Sequence, residues 1–233
     1  MDLHPSPLLR RMVEEKRVLA VDEPVSIRPG KPALYRVADT NLRLYLAALR
    51  SAQEQARRGR PEAAFRLVER RWPTWRGRAV EPLVRESLEL AAASGALPWP
   101  DTAVVGGWWN RQFNPEVDLV GADRAPVAQY LHFVGSIKWL DTPFDDHDLA
   151  ELLRSAPQVP GFAPGSTGIV VVSLSGIAPD LDQGKTDLIW GRETSSPLGS
   201  PPTDLVRSAR GAVTTLPSFH FPEPPTRTGR AVG

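Results

Sequence analysis

The 233-residue sequence contains no cysteine, which excludes a disulfide framework, a thiolate metal site and a cysteine nucleophile. It also lacks any apolar run close to the length of about 18 residues that a membrane-spanning helix needs. The N-terminus is polar and has no positively charged segment followed by an apolar one, so we expect no signal peptide. These absences favour a cytoplasmic protein without a membrane partner.

Motifs of several enzyme classes are missing as well. Gly184-Lys185-Thr186 resembles the end of a P-loop, but that pattern requires glycine where this chain has Pro179. We therefore expect no nucleotide cofactor and no ATPase activity from this chain alone. No pair among the 4 histidines has the spacing of a zinc site, and no nucleophile elbow of a serine hydrolase is present.

Charge is distributed unevenly along the chain. Residues 43–85 hold 11 Arg and 4 Glu, a balance of +7, whereas residues 101–155 hold 9 acidic and 4 basic side chains, a balance of −5. A basic half indicates a polyanion partner such as DNA, although it also fits two halves that attract each other or arginines on solvated helix faces. Lysine is rare, so Lys138 at the end of an apolar stretch is informative.

The N-terminal region predicts a helix followed by a hairpin. Residues 7–16 are amphipathic, and extended segments at 18–27 and 33–37 flank the turn sequence at 28–31. A helix followed by a hairpin is typical of the last part of a winged helix. We therefore expect residues 1–38 to be a partial winged helix whose first helices are missing.

A small helical segment should follow. Asp39 predicts an N-cap, and the helix that it begins should end near residues 59–61. A second helix is predicted over residues 62–71, with a break at Trp72-Pro-Thr-Trp75.

Residues 79–94 predict the clearest helix, with Pro82 in its first turn and Gly95 as its stop signal. Glu81 lies three residues before Val84, which places it toward the buried side of this helix. A glutamate in a first turn also stabilises the helix dipole, so both interpretations of Glu81 remain open.

Short strands are predicted at residues 102–109, 116–121 and 127–138, followed by a helix that Asp145 caps. Residues 168–174 form a β-branched run that is typical of a strand buried on both faces. The order of helix, three strands, helix and strand favours an α/β fold, a mixed sheet flanked by helices.

Chemistry concentrates on two neighbouring predicted strands, one with Asp118 and the other with Ser136 and Lys138. A Mg²⁺-dependent phosphodiesterase needs carboxylates for the metal ion and a cation for the phosphate. Asp118 and Glu81 are candidate metal ligands, and Lys138 is the candidate cation. Ser136 supplies no charge where a site of this kind would have Glu or Asp. The alternative is an ordinary ion pair between Asp118 and Lys138 at the sheet edge.

Several linked motifs between Tyr35 and Ala156 resemble the C-terminal domain of archaeal-type AAA ATPases, a domain-of-unknown-function family with a PD-(D/E)xK nuclease-like fold. Residues 8–34 resemble the end of the winged helix that precedes that domain. The motifs are Tyr35-Arg-Val-Ala-Asp39, Gly77-Arg-Ala-Val-Glu81, Gly106-Gly-Trp-Trp109, Glu116-Val-Asp-Leu-Val120 and Val134-Gly-Ser-Ile-Lys-Trp139.

This resemblance implies a restriction-endonuclease-like fold over residues 39–193 and a link to DNA, with the ATPase domain absent. Residues 194–233 are rich in Pro, Ser, Thr and Gly and have little apolar periodicity, so we expect a disordered tail there. The chain is then expected to be a trimmed paralogue or a fragment of a longer gene. By position, Glu81, Asp118 and Lys138 match the family's candidate active-site residues, while the family usually has an acidic residue where this chain has Ser136.

Three hypotheses about function follow from these observations. The first is a degenerate nuclease-like domain that acts as a DNA-binding or regulatory module. The second is an active Mg²⁺-dependent DNA endonuclease. The third is a protein–protein module that docks on a separately encoded P-loop ATPase.

Overall fold

The structure is a computed structural model that describes residues 7–29 and 32–191, together with the backbone of residues 205–208 and 213–215. Its N-terminal part consists of helix α1 (Pro7–Glu14) and strands β1 (Leu19–Asp22) and β2 (Leu34–Val37). The two strands pair antiparallel. The predicted helix and hairpin are therefore confirmed, whereas the assignment of residues 1–38 to a winged helix stays a prediction.

A helical arm follows the hairpin. Its first half consists of α2 (Thr40–Leu44), a π-helical segment (Tyr45–Leu49) and α3 (Arg50–Arg57). Asp39 caps α2 as predicted, because its carboxylate accepts the backbone N–H of Leu42 at 2.6 Å. Helix α4 (Pro61–Ala93) begins after the turn at Gly59 and runs back along α3.

The predicted break at Trp72–Trp75 is wrong, because α4 is one helix of 33 residues that passes through Pro73 and Pro82. A proline inside a helix removes one backbone hydrogen bond and costs about 3 kcal/mol. Distant contacts help to offset this cost. Arg76 donates to the carbonyl oxygen of Trp139 at 3.4 Å and to the carboxylate of Asp141 at 3.0 Å. Pro82 is thus an interior residue of the helix and not part of its first turn.

The helix leads into a mixed sheet. Five of its strands follow one another in the same order along the chain and across the sheet, namely β3 (Val104–Trp109), β4 (Glu116–Ala122), β5 (Leu131–Lys138), β6 (Gly168–Ser173) and β7 (Leu188–Gly191). The first three strands pair antiparallel, and β5, β6 and β7 pair parallel. Helix α5 (Asp146–Ser155) connects β5 to β6, and Asp145 caps it through a capping box, as predicted. The expected mixed α/β fold is confirmed at this level.

Apolar side chains cover both faces of the sheet. Helix α4 contributes Val80, Val84 and Leu88 to one cluster, and α5 contributes Leu149 and Leu152 to the other. Alternate residues of β6 join different clusters, and the whole strand is buried, which confirms that it is covered on both faces. The sheet is therefore held between α4 and α5, which fixes the side chains at its strand ends.

The disorder expected for residues 194–233 lies mostly outside the described residues. Two described segments of this tail, β8 (Leu205–Ser208) and β9 (Val213–Thr215), are strands that extend the sheet antiparallel beside β7. The expectation of disorder for the tail as a whole stays a prediction. Among the described helices, none is long and apolar enough to cross a membrane.

Candidate functional site

Asp118 lies where the backbone pairing between β4 and β5 ends. The last paired residues of the two strands are Leu119 and Gly135. Beyond them, the carboxylate of Asp118 accepts the backbone N–H of Ile137 at 2.8 Å and the hydroxyl of Ser136 at 2.9 Å. The side chain of Asp118 thus continues the attachment of β4 to β5 after the ladder has ended.

Helix α4 reaches the same point through Arg85. The guanidinium donates from Nε at 3.1 Å and from Nη2 at 2.9 Å to the backbone carbonyl oxygen of Asp118. Nη2 also lies 3.7 Å from the carboxylate of Glu81, one helical turn earlier. The structure therefore gathers Glu81, Arg85, Asp118 and Ser136, a set that we call the α4–β4 cluster.

Sequence reasoning brings Glu81 and Asp118 together but places Glu81 in a first turn. That placement is wrong, because α4 begins at Pro61 and Glu81 lies far inside it. Stabilisation of the helix dipole is therefore not the role of Glu81. Arg85 was not among the predicted residues, although its position four residues after Glu81 on a helix is a signal for an ion pair.

Both carboxyl groups of the cluster are harder to ionise than usual. Burial raises the pKa of Asp118, and the N–H of Ile137, the hydroxyl of Ser136 and the charge of Arg85 only partly oppose this effect. Burial also raises the pKa of Glu81, where Arg85 lowers it and Asp118 raises it further. Two acids near each other in a poorly solvated place are typical of functional sites, and also of structural networks.

Lys138 belongs to a different set of contacts. Its ammonium group pairs with the carboxylate of Asp148 and lies 4.0 Å from that of Asp145. These two aspartates form the capping box at the start of α5. Within the described part of the chain no ion pair joins Lys138 to Asp118, so the alternative of an ordinary ion pair between them is wrong.

The predicted catalytic residues are thus divided between two places. Glu81 and Asp118 lie in the α4–β4 cluster, whereas Lys138, two residues after Ser136 on β5, is held by α5. Asp148 was missed by sequence reasoning, although its position three residues after Asp145 is the signature of a capping box.

The cluster does not fit a metal ion well. In the described residues there is no group of three or more His, Asp or Glu side chains that would hold a metal. Mg²⁺ is bound through oxygen ligands in near-octahedral geometry. One oxygen of the Asp118 carboxylate already accepts two hydrogen bonds, and Ser136 brings no charge. The side chains of this cluster therefore make a poor donor set for Mg²⁺.

Comparison with known families gives one match. Residues 45–149 match the model of DUF234, a family described as archaea bacterial proteins of unknown function. The match includes α3, α4, strands β3 to β5 and every residue of the α4–β4 cluster. Searches of curated proteins and of solved structures found no match. Over this segment the chain is similar to a family whose description assigns no function.

Proposed function

We propose that this protein is a nuclease-like module that binds DNA and does not cut it. The observation that carries the proposal is the bonding of Asp118. Its carboxylate is engaged by the N–H of Ile137 and by the hydroxyl of Ser136, the residue that stands where an active site would have a second acid. A carboxylate used in this way holds two strands together and is poorly available to a metal ion.

The arrangement of elements supports the nuclease-like part of the proposal. Helix α4, the antiparallel strands β3 to β5, helix α5 and the parallel strand β6 follow one another as a restriction-endonuclease-like domain would require. Asp118 lies on the second of these strands, and Ser136 and Lys138 lie on the third. The resemblance of residues 35–156 to the PD-(D/E)xK nuclease-like family implies the same positions.

The position of Lys138 supports the loss of cutting. A catalytic lysine must direct its charge toward the phosphate that reacts. Here the side chain of Lys138 is 14% exposed, and its ammonium group pairs with Asp148, with Asp145 close by. Freeing it for a phosphate would leave two aspartates of the α5 cap without their cation, so the resting arrangement opposes catalysis.

Binding of DNA is supported by arginines at the outer end of the helical arm. Among the exposed guanidinium groups that make no hydrogen bond or ion pair within the described residues, we call the four in residues 58–70 the basic surface. They are Arg58, Arg60, Arg66 and Arg70. Arg66 and Arg70 also line a shallow open groove, whose other lining residues are Gln55, Ala63, Leu67 and the acid Glu69. Unpaired arginines beside a groove can contact a phosphate backbone, and such contacts weaken steeply with added salt.

The test is a binding and cutting assay on the full chain. A fluorescent DNA duplex reports binding by anisotropy at several salt concentrations, and supercoiled plasmid with Mg²⁺ or Mn²⁺ reports nicking. We expect salt-dependent binding without nicking. The double variant Arg66→Glu/Arg70→Glu should lose at least about tenfold in affinity, because it removes two phosphate contacts and adds repulsion.

The matched control is Arg111→Glu/Arg154→Glu, which reverses two exposed arginines outside the basic surface and should bind as the wild type does. Absence of DNA binding by the wild type would refute the proposal. Metal-dependent nicking by the wild type that Lys138→Ala abolishes would instead establish the active endonuclease. If Ser136→Glu alone creates such nicking, the interpretation of Ser136 as a lost acid gains direct support.

A further inference from the structure

A second surface of the helical arm has no role in the proposed function. Four large apolar side chains follow one another at positions i, i+3, i+4 and i+7, and we call them the apolar strip. They are Leu42 (37% exposed), Tyr45 (40%), Leu46 (44%) and Leu49 (38%). This spacing places them on one side of the helical segment. Such a row is normally buried against another element.

The arm does not bury this row itself. The buried residues of its first half are the small Ala48 and Ala52, and Ala64 is the buried residue at the start of α4. The side chains that are fully buried in this part of the arm are therefore alanines, which bury little area. The large side chains, which would contribute most to a core, are left partly open to solvent.

The backbone at the strip is also unusual. Tyr45–Leu49 is a π-helical segment between two α-helical ones. Short π-helical segments are less stable than α-helix and occur often at functional sites. Here the π-helical segment contains three of the four residues of the strip, so the irregular backbone and the uncovered apolar side chains coincide.

Charge beside the strip indicates what covers it. Arg50 directly follows Leu49 and Arg57 ends α3, with the exposed Glu54 between them. Both arginines are exposed, and neither side chain has a partner among the described residues. They lie within the segment of residues 43–85 that has a balance of +7. An occupant that carries acidic side chains beside apolar ones would satisfy both features at once.

We propose that the apolar strip is the docking site for an acidic amphipathic helix of a partner protein. Leucines or similar side chains of that helix pack on the strip, and its glutamates or aspartates pair with Arg50 and Arg57. This inference does not depend on DNA binding, because it involves neither the basic surface nor the α4–β4 cluster.

Other occupants fit the surface less well. Two copies of this arm would bring like charge together, which opposes pairing of the strip with itself. A lipid bilayer suits side chains that project fully, whereas these are about 40% exposed and lie low on the surface. A DNA backbone would leave the apolar side chains against phosphates and water.

The experiment uses designed peptides as probes. A fluorescent peptide of about 21 residues carries leucine at the a and d heptad positions and glutamate at the flanking positions. One control peptide has lysine in place of every glutamate, and another has the residues of the first in scrambled order. Anisotropy with the full chain should show the glutamate peptide binding at least about tenfold more tightly than either control.

Variants of the protein locate the contact. Leu46→Asp/Leu49→Asp should weaken the glutamate peptide at least about tenfold. Arg50→Glu/Arg57→Glu should weaken the glutamate peptide and strengthen the lysine peptide, a reversal that a merely unfolded arm would not give. The control Leu90→Asp changes a leucine that is 61% exposed near the other end of α4, and it should bind as the wild type does.

Other results would overturn the proposal. Equal binding of the glutamate and scrambled peptides, or an unchanged affinity in Leu46→Asp/Leu49→Asp, removes its basis. A wild-type dimer in light scattering that Leu46→Asp/Leu49→Asp converts to a monomer assigns the strip to a second copy of the chain. If the same variant loses binding to phosphatidylglycerol vesicles, the strip is assigned to a lipid bilayer. If it loses binding to a DNA duplex, the strip is assigned to DNA.

Discussion

Replacing Asp118 tests whether its carboxylate acts as a bridge between two strands. Asp118→Ala removes the acceptor of the Ile137 N–H and of the Ser136 hydroxyl at a point where the backbone ladder has ended. A buried donor without a partner costs about 1–3 kcal/mol, and the Ser136 hydroxyl can rotate toward another acceptor. We therefore expect the free energy of unfolding to fall by about 1–3 kcal/mol.

Asp118→Asn should behave differently. Its amide oxygen, placed where the bridging carboxylate oxygen now lies, can still accept both the N–H of Ile137 and the hydroxyl of Ser136. Arg85 donates to the backbone carbonyl of residue 118, a contact that neither substitution removes. The expected change is within about 1 kcal/mol of the wild type at neutral pH.

Both substitutions should also differ from the wild type in how the free energy of unfolding depends on pH. Burial raises the pKa of Asp118, so between its ordinary value of about 3.9 and the raised value the folded state binds more protons than the unfolded state. The contribution of Asp118 to stability therefore falls as pH rises through that window. Asp118→Asn removes this dependence, so its stability relative to the wild type should increase as pH rises.

Urea unfolding of the full chain, followed by circular dichroism at a series of pH values, measures these differences. Glu116→Ala is the matched control, since Glu116 is exposed on the same strand. It should change the free energy of unfolding by no more than about 0.5 kcal/mol. If Asp118→Asn is as destabilised as Asp118→Ala, the charge and not the hydrogen bonding holds the strands. If neither is destabilised, the bridging role is refuted.

Three further substitutions test other parts of the structure by the same unfolding measurement. Lys138→Met should lower the free energy of unfolding by about 1–3 kcal/mol, because it removes the partly buried cation that pairs with Asp148. A double-mutant cycle with Asp148→Asn should show a coupling energy between the two residues, and its absence would contradict the ion pair. Gly135→Ala should lower the free energy of unfolding by about 1–3 kcal/mol or more, since the added Cβ would lie 2.3 Å from the carbonyl oxygen of Val170. A variant as stable as the wild type would contradict this packing. Pro73→Ala should raise the free energy of unfolding by about 1–3 kcal/mol, because it restores a backbone N–H donor inside α4. An unchanged or lower free energy of unfolding would mean that the proline does not destabilise the helix.

The parts of the fold that sequence predicted correctly depend on local signals. Asp39 and Asp145 were identified as caps because a short acceptor before an apolar period satisfies the free N–H groups of a helix start, and both do so. The buried strand β6 was identified from its β-branched run. In each case the residues that decide the structure lie within a few positions of one another.

The error in α4 shows where local signals fail. The penalty of Pro73 is a property of the helix itself, whereas the contact of Arg76 that helps to offset it is with Asp141, 65 residues later. The cost of a proline inside a helix can be predicted from the local sequence, but the distant contact that helps to offset it cannot. The same limit applies to Lys138, because strand adjacency suggested a site shared with Asp118, while its actual partner is on a helix whose placement only the tertiary structure fixes.

Ser136 has a more definite role than that of an absent acid. A carboxylate at this position would lie beside Asp118, whose pKa burial already raises, and two such charges are tolerated only with a cation between them or a shared proton. The hydroxyl of Ser136 instead donates to Asp118 and lowers its pKa, so it supplies part of the stabilisation that a metal would otherwise provide. A serine in place of an acid therefore fits a fold in which β4 and β5 stay joined without a metal ion. This agrees with the proposed module that binds DNA and does not cut it.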